Sequence, residues 1–592
     1  GNPAMLLSDT SRVVDLDEVI VVSQPKENFR LRQQPLASSV FTDREMRRLG
    51  VSDLSHLSAY VPSVSVPAYG SRYTSSVYVR GLGSRTGDPA VGVYYDNVPL
   101  ASKASLNRHF YQLDRVDVLR GPQATLYGMN AEGGLVRIYS KNPMSYQGTD
   151  ILAGMGTGLY SNLEVAQYHR PSERLAFSVA GFYTGQKGFF NNAQFSEKND
   201  LTNEAGGRAR LMLRPTDRLT VDLTADYQYV NQNGFAYGEY DRESGAFSDP
   251  STSLMNGYKR QMATAGLCLG YAAPSVQLTS VTSYQYLKDL MVMDQDYLPA
   301  DYLRLMQRQK MNAVTEEISL RSRTSGWWQH ASGVFFSHEW LHTDGPVFFG
   351  DDMNARIKGS MLSAVEANDR VPAFVKSMLR GMTLTDNSVP GRFKTPRTNM
   401  GLYHESNVSI TSRLVATLGL RYDWQHVRID YLTQSSFRIG LQGNMMGQTL
   451  SLDRHVTSLL DNATSEDYHQ LLPKVALTWQ LDNGNNVYAT VNKGFRAGGY
   501  NLQMFADIFQ TEQRGLGSEL MSLVKGDYTR THTPEEYDQV NNTITYKPET
   551  SWNYELGTHL NLLGGKLHAD LSAYLMQIRN QQSAVMAANY GY

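Results

Sequence analysis

The sequence predicts an all-β membrane protein, a large antiparallel β-barrel preceded by a small α+β domain. Three observations predict it. Long stretches alternate strictly between apolar and polar side chains, the connections between them sort into short and long, and no run of ~18 apolar residues is present to make a membrane helix. Mean hydropathy is −0.40, the value of a water-soluble chain. A membrane barrel averages to the same kind of value, because half of its wall side chains face water.

Alternation is clearest from Leu219 to Tyr229, where Leu219, Val221, Leu223, Ala225, Tyr227 and Tyr229 share one face and Thr220, Asp222, Thr224, Asp226 and Gln228 share the other. The first face suits lipid and the second suits water. Leu414, Ala416, Leu418, Leu420, Tyr422 and Trp424 repeat the pattern against Thr417, Arg421, Asp423 and Gln425, and Leu567 to Leu575 does so against His568, Asp570 and Ser572. Short turns fall at 170–174, 214–218, 273–276, 324–326, 410–412, 481–486 and 563–566. Long polar segments fall at 188–203, 232–258, 292–308, 343–393, 432–466 and 500–548. Short turns on one side and long loops on the other are the plan of a membrane barrel, which a soluble sandwich does not follow.

At 592 residues the chain exceeds one ordinary domain. A net charge of −2 provides no field for nucleic acid. The single cysteine, Cys268, excludes an internal disulfide and a cysteine metal cluster, and its strand-like setting reads as a small buried or lipid-facing residue. Gly1 to Thr10 lacks the basic start and apolar centre of a signal peptide, so the sequence reads as a mature form.

The N-terminal domain is organised around Arg120 to Pro143, RGPQATLYGMNAEGGLVRIYSKNP, a strand, turn, strand unit. Val77 to Leu100 repeats the idiom with Arg80-Gly81 and the strand Val91 to Pro99. Two short helices are expected, one starting at Thr42 or Asp43 with Glu45 in its first turn, the other opening at Asp53 and ended by Pro62. No helix pattern follows Arg80-Gly81-Leu82-Gly83, which excludes a phosphate-cradling loop. His56 reads as an ordinary surface or core histidine.

Position by position, Arg80-Gly81, Val91 to Pro99, Arg120 to Tyr127 and Gly133-Gly134 resemble the plug domain of TonB-dependent outer-membrane receptors. Glu132 departs from the family pattern, standing where a small or apolar residue is usual, and Arg137 interrupts an apolar run. The resemblance implies three parts: a periplasmic segment over 1–30, a plug over 31–146 lying in the lumen, and a transmembrane barrel over 147–592. It also implies a 22-stranded barrel. About fifteen strands can be counted from residue 148, the last running outward from Leu567 to Arg579, so the sequence is expected to be incomplete at its C-terminus or to be closed by another segment.

Further expectations follow from the resemblance. The β-branched run Val13 to Ser23 has the character needed for strand addition to a partner's sheet edge, although an ordinary first plug strand is the bland alternative. By resemblance, Glu18, Val19, Ile20, Val21 and Val22 are the TonB box grasped by the periplasmic TonB complex. Glu317 and Glu555 fall on the wet face, and a carboxylate there needs a cation. Arg80 and Arg120 are the expected partners, latching plug to barrel. Ligand contacts are expected at the plug tips, at Arg72 and Tyr73 and at Lys103, Arg108, His109 and Phe110, where cationic and aromatic groups suit an anionic chelate. The run Gly494 to Asn501 resembles a strand end of siderophore-receptor relatives and departs from the motif of haem receptors. The implied function is TonB-dependent active transport of a scarce ligand across the outer membrane, a ferric siderophore first, with cobalamin or haem as alternatives. The expected partners are TonB, outer-membrane lipid and the small-molecule ligand, with a surface lipoprotein that lids the barrel as an alternative arrangement, and no nucleic acid and no cofactor.

Two motifs point elsewhere. His338-Glu339-Trp340-Leu341-His342 spells the HExxH of zinc proteases, but the run continues a strand, where residues four apart are separated by about 13 Å. Asp294, Asp296 and Asp301 have the oxygen chemistry of a calcium site, against the commoner reading of solvated loop acids, and no metal is assigned.

Overall fold

The computed structural model describes residues 26, 27, 29, 31–66, 78–80, 82, 89–101, 107–234, 240–249, 255–294, 302–445 and 447–580. The N-terminal domain contains β1 (Ala37–Thr42), α1 (Asp43–Leu49), α2 (Leu54–Ser58), β2 (Val64–Ser65), β3 (Tyr78–Val79), β4 (Val91–Tyr95), β5 (Val98–Pro99), β6 (Leu113–Arg120), α3 (Ala124–Tyr127) and β7 (Gly134–Ser140). Its main sheet has the order β1-β6-β7-β4-β5. Thr42, one of the two expected caps, accepts the Glu45 N–H to start α1, and Gly50 ends it at φ 71°. Asp53 caps α2, which stops at Ser58, ahead of Pro62. The helices pack Met46, Leu54 and Leu57 onto Val91, Val93, Val116, Val118, Val136 and Ile138 of the sheet. Gly134 is required where β7 passes β6, since a Cβ there would lie 2.5 Å from the Leu119 carbonyl oxygen.

The wall strands are β8 (Gly148–Gly156), β9 (Tyr160–Ser172), β10 (Leu175–Gln186), then after a loop hairpin of β11 (Asn191–Asn192) and β12 (Phe195–Lys198), β13 (Thr202–Leu213) and β14 (Leu219–Asn233). A second loop hairpin, β15 (Tyr240–Asp241) and β16 (Ala246–Phe247), precedes β17 (Gly257–Ala272), β18 (Val276–Asp294), β19 (Leu303–Ser322) and β20 (Trp328–Phe349). Helices α4 (Asp351–Glu366) and α5 (Ala373–Arg380) lead to β21 (Thr383–Lys394) and β22 (Arg397–Ser409), followed by β23 (Leu414–Met445), β24 (Gln448–Gln480) and β25 (Asn486–Arg496). The last part comprises β26 (Gly499–Tyr500), α6 (Met504–Arg514), α7 (Leu520–Lys525), β27 (Tyr528–Arg530), α8 (Pro534–Ile544), β28 (Thr545–Tyr546), β29 (Glu549–Leu562) and β30 (Leu567–Arg579).

From β8 to β30 the wall strands pair antiparallel in series to form a barrel. β21 and β22 are one strand interrupted at Thr395-Pro396, since both lie between β20 and β23. With these counted as one and the short β27 set aside, fifteen strands make the wall, as alternation predicts. All seven predicted short turns are present at one end.

Inside and outside are sorted as the alternation requires. On β14, Asp222, Thr224, Asp226 and Gln228 are buried while Leu223, Tyr227 and Tyr229 are exposed. On β23, Thr417, Arg421, Asp423 and Gln425 are buried while Leu418, Leu420 and Tyr422 are exposed. The exposed apolar face is the lipid face. Tyr271, Trp328 and Trp479 ring it near the short turns, and Tyr284 and Trp340 ring it near the long connections. Cys268 sits on the inner face, paired with Asp222. The N-terminal domain lies in the lumen and touches the wall on many sides, as the next subsection describes.

Three predicted loops prove to be ordered structure. Residues 432–466 are the upper half of the β23–β24 hairpin, which continues without a break through Met445 and Gln448. There the polarity inverts: Ile429, Tyr431, Phe437, Ile439 and Leu441 are buried inward, while Arg428 and Arg438 face outward. They pack against Ile357 and Met361 of α4, Leu379 of α5, Phe505 and Phe509 of α6 and Ile544 of α8 in the largest apolar cluster among the described residues. Segments 343–393 and 500–548, read as polar loops, therefore supply a helical cap. Their amphipathic pattern was hidden by a low average hydrophobicity.

The HExxH run lies within β20, with His338 and His342 on the outer face and Glu339 on the other. The three side chains cannot converge on one ion. Among the described residues, no cluster of three or more His, Cys, Asp or Glu side chains is suited to hold a metal. Asp294 is buried and accepts no role in an open acidic loop, its backbone N–H donating to Asn256 at 2.7 Å. Asp296 and Asp301 lie outside the described residues.

A charge placed mid-way up the lipid face should be penalised by the bilayer alone. Leu420→Arg is expected to destabilise the barrel by about 2–4 kcal/mol in phospholipid vesicles, and Leu432→Arg, beyond the polarity inversion, by about 1 kcal/mol or less. Equilibrium unfolding in urea measures both.

Candidate functional site at the plug–barrel interface

The interface is built from charged side chains of the N-terminal domain that enter the wet inner wall. Lys26, the first described residue, is buried. Its Nζ donates to the Leu126 carbonyl at 2.8 Å, pairs with Glu317 of β19 at 3.1 Å and lies 4.0 Å from the centre of the Tyr127 ring, with Tyr94 and Tyr403 at 5.6 and 5.5 Å. Burial pulls the ammonium below its ordinary pKa against the pull of Glu317. Its neighbour Glu27 is buried as well, paired with Arg137 and accepting from the Tyr127 hydroxyl at 2.7 Å. Arg137, which interrupts an apolar run in the sequence, is the partner that makes burial of Glu27 tolerable, and Asp117 lies 3.1 Å from its other side.

The expected latch is present in part. Arg80 at the end of β3 pairs with Glu555 of β29 at 2.6 Å, lies 4.0 Å from the Tyr574 ring and shares Glu555 with the Tyr488 hydroxyl at 2.7 Å. Glu317 does not pair with either predicted arginine. Its cation is Lys26, and Tyr403 donates to it at 3.2 Å. Arg120 makes no ion pair with Glu317 or Glu555 among the described residues. Burial and the adjacent Arg80 lower its affinity for a proton. Alternation identifies which wall residues face inward, but not which plug cation lies opposite, and here that separation matters.

The tip assignment needs a larger correction. Arg108, His109 and Phe110 are buried, not displayed for a ligand. Arg108 pairs with Asp226 of β14 at 3.4 Å, His109 approaches Glu164 of β9 at 3.2 Å and stacks on Phe182 at 4.8 Å, and Phe110 belongs to the apolar core of the plug. A cationic and aromatic run has the same composition whether it meets a ligand or a polar wall. Arg72, Tyr73, Lys103 and the box residues Glu18, Val19, Ile20, Val21 and Val22 lie outside the described residues.

Sequence reasoning missed the strongest cluster. Asp96, in the turn after β4, is bonded to Arg208 at 2.7 Å and accepts from the Ser140 N–H at 2.9 Å. Arg208 also reaches Asp226 at 3.0 Å, and Arg210 pairs with Asp222 at 2.8 Å. Burial alone would raise the Asp96 carboxyl, but Arg210, Arg208 and Ser140 hold it below the ordinary range. The signal was available, since Asp222 and Asp226 fall on the wet face by alternation and β13 presents Arg208 and Arg210 two residues apart. Arg32 extends the interface to β30 through Asp570 at 2.8 Å, and Lys141 extends it to β8 through Asp150 at 2.9 Å. The plug therefore holds both the first and the last wall strand.

Glu132 is fully buried against the Arg496–Glu549 pair of the wall. Burial and the Glu549 carboxylate push its pKa up to about 8, with Arg496 and Ser551 pulling the other way. Among the described residues, neither of its oxygens has a hydrogen-bond partner of normal geometry.

Removing Arg80 leaves Glu555 buried without its cation. Arg80→Ala is expected to destabilise plug packing by about 3–5 kcal/mol and Arg120→Ala by much less, read as loss of amide hydrogen-exchange protection in β3 and β7. Glu132 sets a pH dependence. Between its ordinary pKa of 4.5 and its folded value of about 8, the folded state keeps a proton that the unfolded state has lost. Stability therefore falls as pH rises through that window, by an amount on the order of a few kcal/mol. Glu132→Gln should flatten the slope and leave the variant more stable than the native protein at pH 9, measured by urea unfolding at pH 5, 7 and 9.

Comparison with known proteins agrees with this architecture. The pesticin receptor of Yersinia pestis is 29% identical over 145 residues, 24% of this chain and 21% of that protein, and the vitamin B12 transporter BtuB of Vibrio cholerae is 27% identical over 178 residues, 29% of this chain and 28% of that protein. The matched stretch thus spans between a fifth and a third of these relatives. Among solved structures, the ferric yersiniabactin uptake receptor FyuA from Yersinia pestis superposes with a TM-score of 0.68 at 17% identity, covering 93% of this chain and 73% of that one. The siderophore receptor PiuA from Acinetobacter baumannii gives 0.64 at 14% identity, covering 92% and 72%. The family description "TonB dependent receptor-like, beta-barrel" matches residues 54–592. With a polar-lined barrel occupied by its own N-terminal domain and a family match over most of its length, the chain belongs to the TonB-dependent receptor family.

Proposed function

We propose that this protein imports a ferric siderophore across the outer membrane of a Gram-negative bacterium, with the periplasmic TonB complex drawing on residues 18–22. One observation carries the reading. The chain that follows the box run enters the interface at once, through Lys26 on Glu317 of the wall and Glu27 on Arg137 of the plug strand β7, so a pull on the box is delivered within four to five residues to the plug and to its seam with the wall. Receptor action needs a stopper that is held strongly at rest and yields to force applied at one end. No bond in the ligand is made or broken. Arg72, Tyr73 and Lys103 are the plug side chains proposed to meet the ligand, and the cap over β23 and β24 is the outer surface it first encounters.

Ferric siderophore is preferred as cargo because the structures that superpose over nine-tenths of this chain include a ferric yersiniabactin uptake receptor and a siderophore receptor. Cobalamin is the second reading, supported by the likeness to a vitamin B12 transporter over 178 residues. A deletion strain grown on single iron sources decides between them. The native gene is expected to restore growth on at least one ferric siderophore, and Ile20→Pro to abolish growth while leaving ligand binding to whole cells intact. Restoration of cobalamin-dependent growth alone would replace the cargo, and full growth with Ile20→Pro would remove the box from the mechanism.

A further inference from the structure

A histidine of the helical cap is placed between two hydrogen-bond acceptors. His532 stands between β27 and α8, with its side chain 2% exposed. Its Nδ1 lies 2.9 Å from the Leu459 carbonyl oxygen of β24, and its Nε2 lies 2.5 Å from Glu512 Oε1 of α6. Neither a carbonyl oxygen nor a carboxylate can donate. Glu512 accepts on its other oxygen as well, from the Ser458 hydroxyl at 2.6 Å. A neutral imidazole carries one N–H and would turn a lone pair toward one of these oxygens, so both contacts are made together only by the imidazolium.

The groups around the ring fix the sign of its titration. Arg530 of β27 lies 3.7 Å from Glu512 and 3.4 Å from Glu536 of α8, so it draws on the same acid as His532. Tyr537 of α8 meets the ring edge-on at 5.8 Å and accepts from the Asp461 backbone N–H of β24 at 3.2 Å, while Tyr528 and Glu519 border the same cluster. The start of α8 disfavours a cation, and Glu535 and Glu536 in its first turn offset this. The hydrogen bond to Glu512 lifts the imidazole above its ordinary pKa of 6.5, with burial and Arg530 pulling the other way. A folded-state value that is raised makes a contribution fully present below pH 6.5 and lost as pH rises through the lifted value.

What these contacts fasten is a strap. β27 lies parallel to β24 over Tyr528 to Arg530, beside Val456 to Ser458, a pairing too short to persist on its own. Further ties are the His455 N–H to Asp527 at 2.9 Å, the Thr457 and Thr529 hydroxyls at 3.2 Å, and Arg454 to the Leu523 carbonyl at 2.8 Å. We propose that His532 is a proton-operated clasp: as the imidazolium it fastens the β27 strap and the start of α8 to β24 and α6, and on losing its proton it frees them. Loss of the proton removes the donor to one acceptor and the counter-charge from Glu512, and both groups recover water only if the strap lifts. The clasp lies above the polarity inversion of β23, beyond the membrane-spanning wall, and the inference does not depend on the cargo.

The test follows amide hydrogen exchange over residues 526–534 of the full chain in nanodiscs, at pH 6 and pH 9, with intrinsic exchange rates divided out. The native strap is expected to lose about fivefold or more of its protection between the two. His532→Gln should be weakly protected at both pH values, and His532→Lys, a cation at both, well protected at both. In histidine-labelled protein, the imidazole resonance that disappears in His532→Gln should be that of an imidazolium at pH 6. A native strap equally protected at both pH values overturns the proposal, as does a pH slope in either variant as large as the native one. Protection in His532→Gln equal to that of the native chain at pH 6, or a neutral ring there, overturns it too. Neither readout involves a transported ligand, so this result and the cargo reading stand or fall separately.

Discussion

A charge taken out of water inside the lumen must meet its opposite, and this requirement organises the molecule. The barrel turns its polar side chains inward, so its bore is lined with Asp222, Asp226, Glu317, Arg421, Asp423, Arg496, Glu549 and Glu555. A domain that fills such a bore cannot present an apolar surface to it without stranding these groups. The plug answers with Lys26, Arg32, Arg80, Asp96, Arg108 and Lys141, each placed against a wall strand, while its apolar core is kept to itself around Val116, Val118 and Ile138. The seam is therefore mainly ionic, with small apolar contacts set between the charges, Tyr111 on Phe182 and Ala124 on Leu472 and Phe495.

An ionic seam has mechanical consequences. Replacing a buried ion pair by apolar packing is often neutral or stabilising, so charge pairs are weak evidence for selection on stability. They have a different use here. Apolar contact loses free energy in proportion to area as two surfaces part, but it offers no alternative partner, whereas a separated carboxylate and guanidinium regain water as it enters. A plug seated by charges can leave its seat when wetted. Glu132 is the exception that tunes the seam: where the family pattern has a small residue, this chain places a carboxyl group beside Glu549, and the two share one cation in Arg496. Burial and the Glu549 carboxylate both favour the protonated form of Glu132 there.

Much of the architecture was readable from the sequence, for a physical reason. Period-two alternation is imposed by strand geometry and by having lipid on one side and water on the other, so Leu418, Leu420 and Tyr422 could be assigned outward and Arg421 and Asp423 inward without coordinates. The same rule failed above the membrane only because its sign reversed: Ile429, Tyr431, Ile439 and Leu441 alternate as strictly as the residues below them, but toward a helical cap. Pairing across the lumen was less accessible. Arg80 with Glu555 was found because both carried independent signals, a motif and a wet-face position. Lys26 with Glu317 was missed because Lys26 stands in a polar stretch with no pattern, and Arg108 was misplaced because cation-rich segments look alike whether they face a ligand or a wall.

The inversion along β23 also explains how one strand serves two solvents. Below Val427 the favourable place for an apolar side chain is outside, in hydrocarbon; above it the outside is water and the only dry place is inward. A strand that kept its lower pattern would carry Leu and Trp into water and bury charge under the cap. By switching at one point, β23 and β24 continue as a rigid hairpin of 32 and 33 residues and build the floor on which α4, α5, α6 and α8 pack. The same point fixes the membrane's outer boundary independently of the aromatic belt. That two unrelated signals, a change in alternation on β23 and the outward-facing Lys288 of β18, Lys310 of β19 and Lys394 of β21, fall at one height follows if both are set by where the lipid ends.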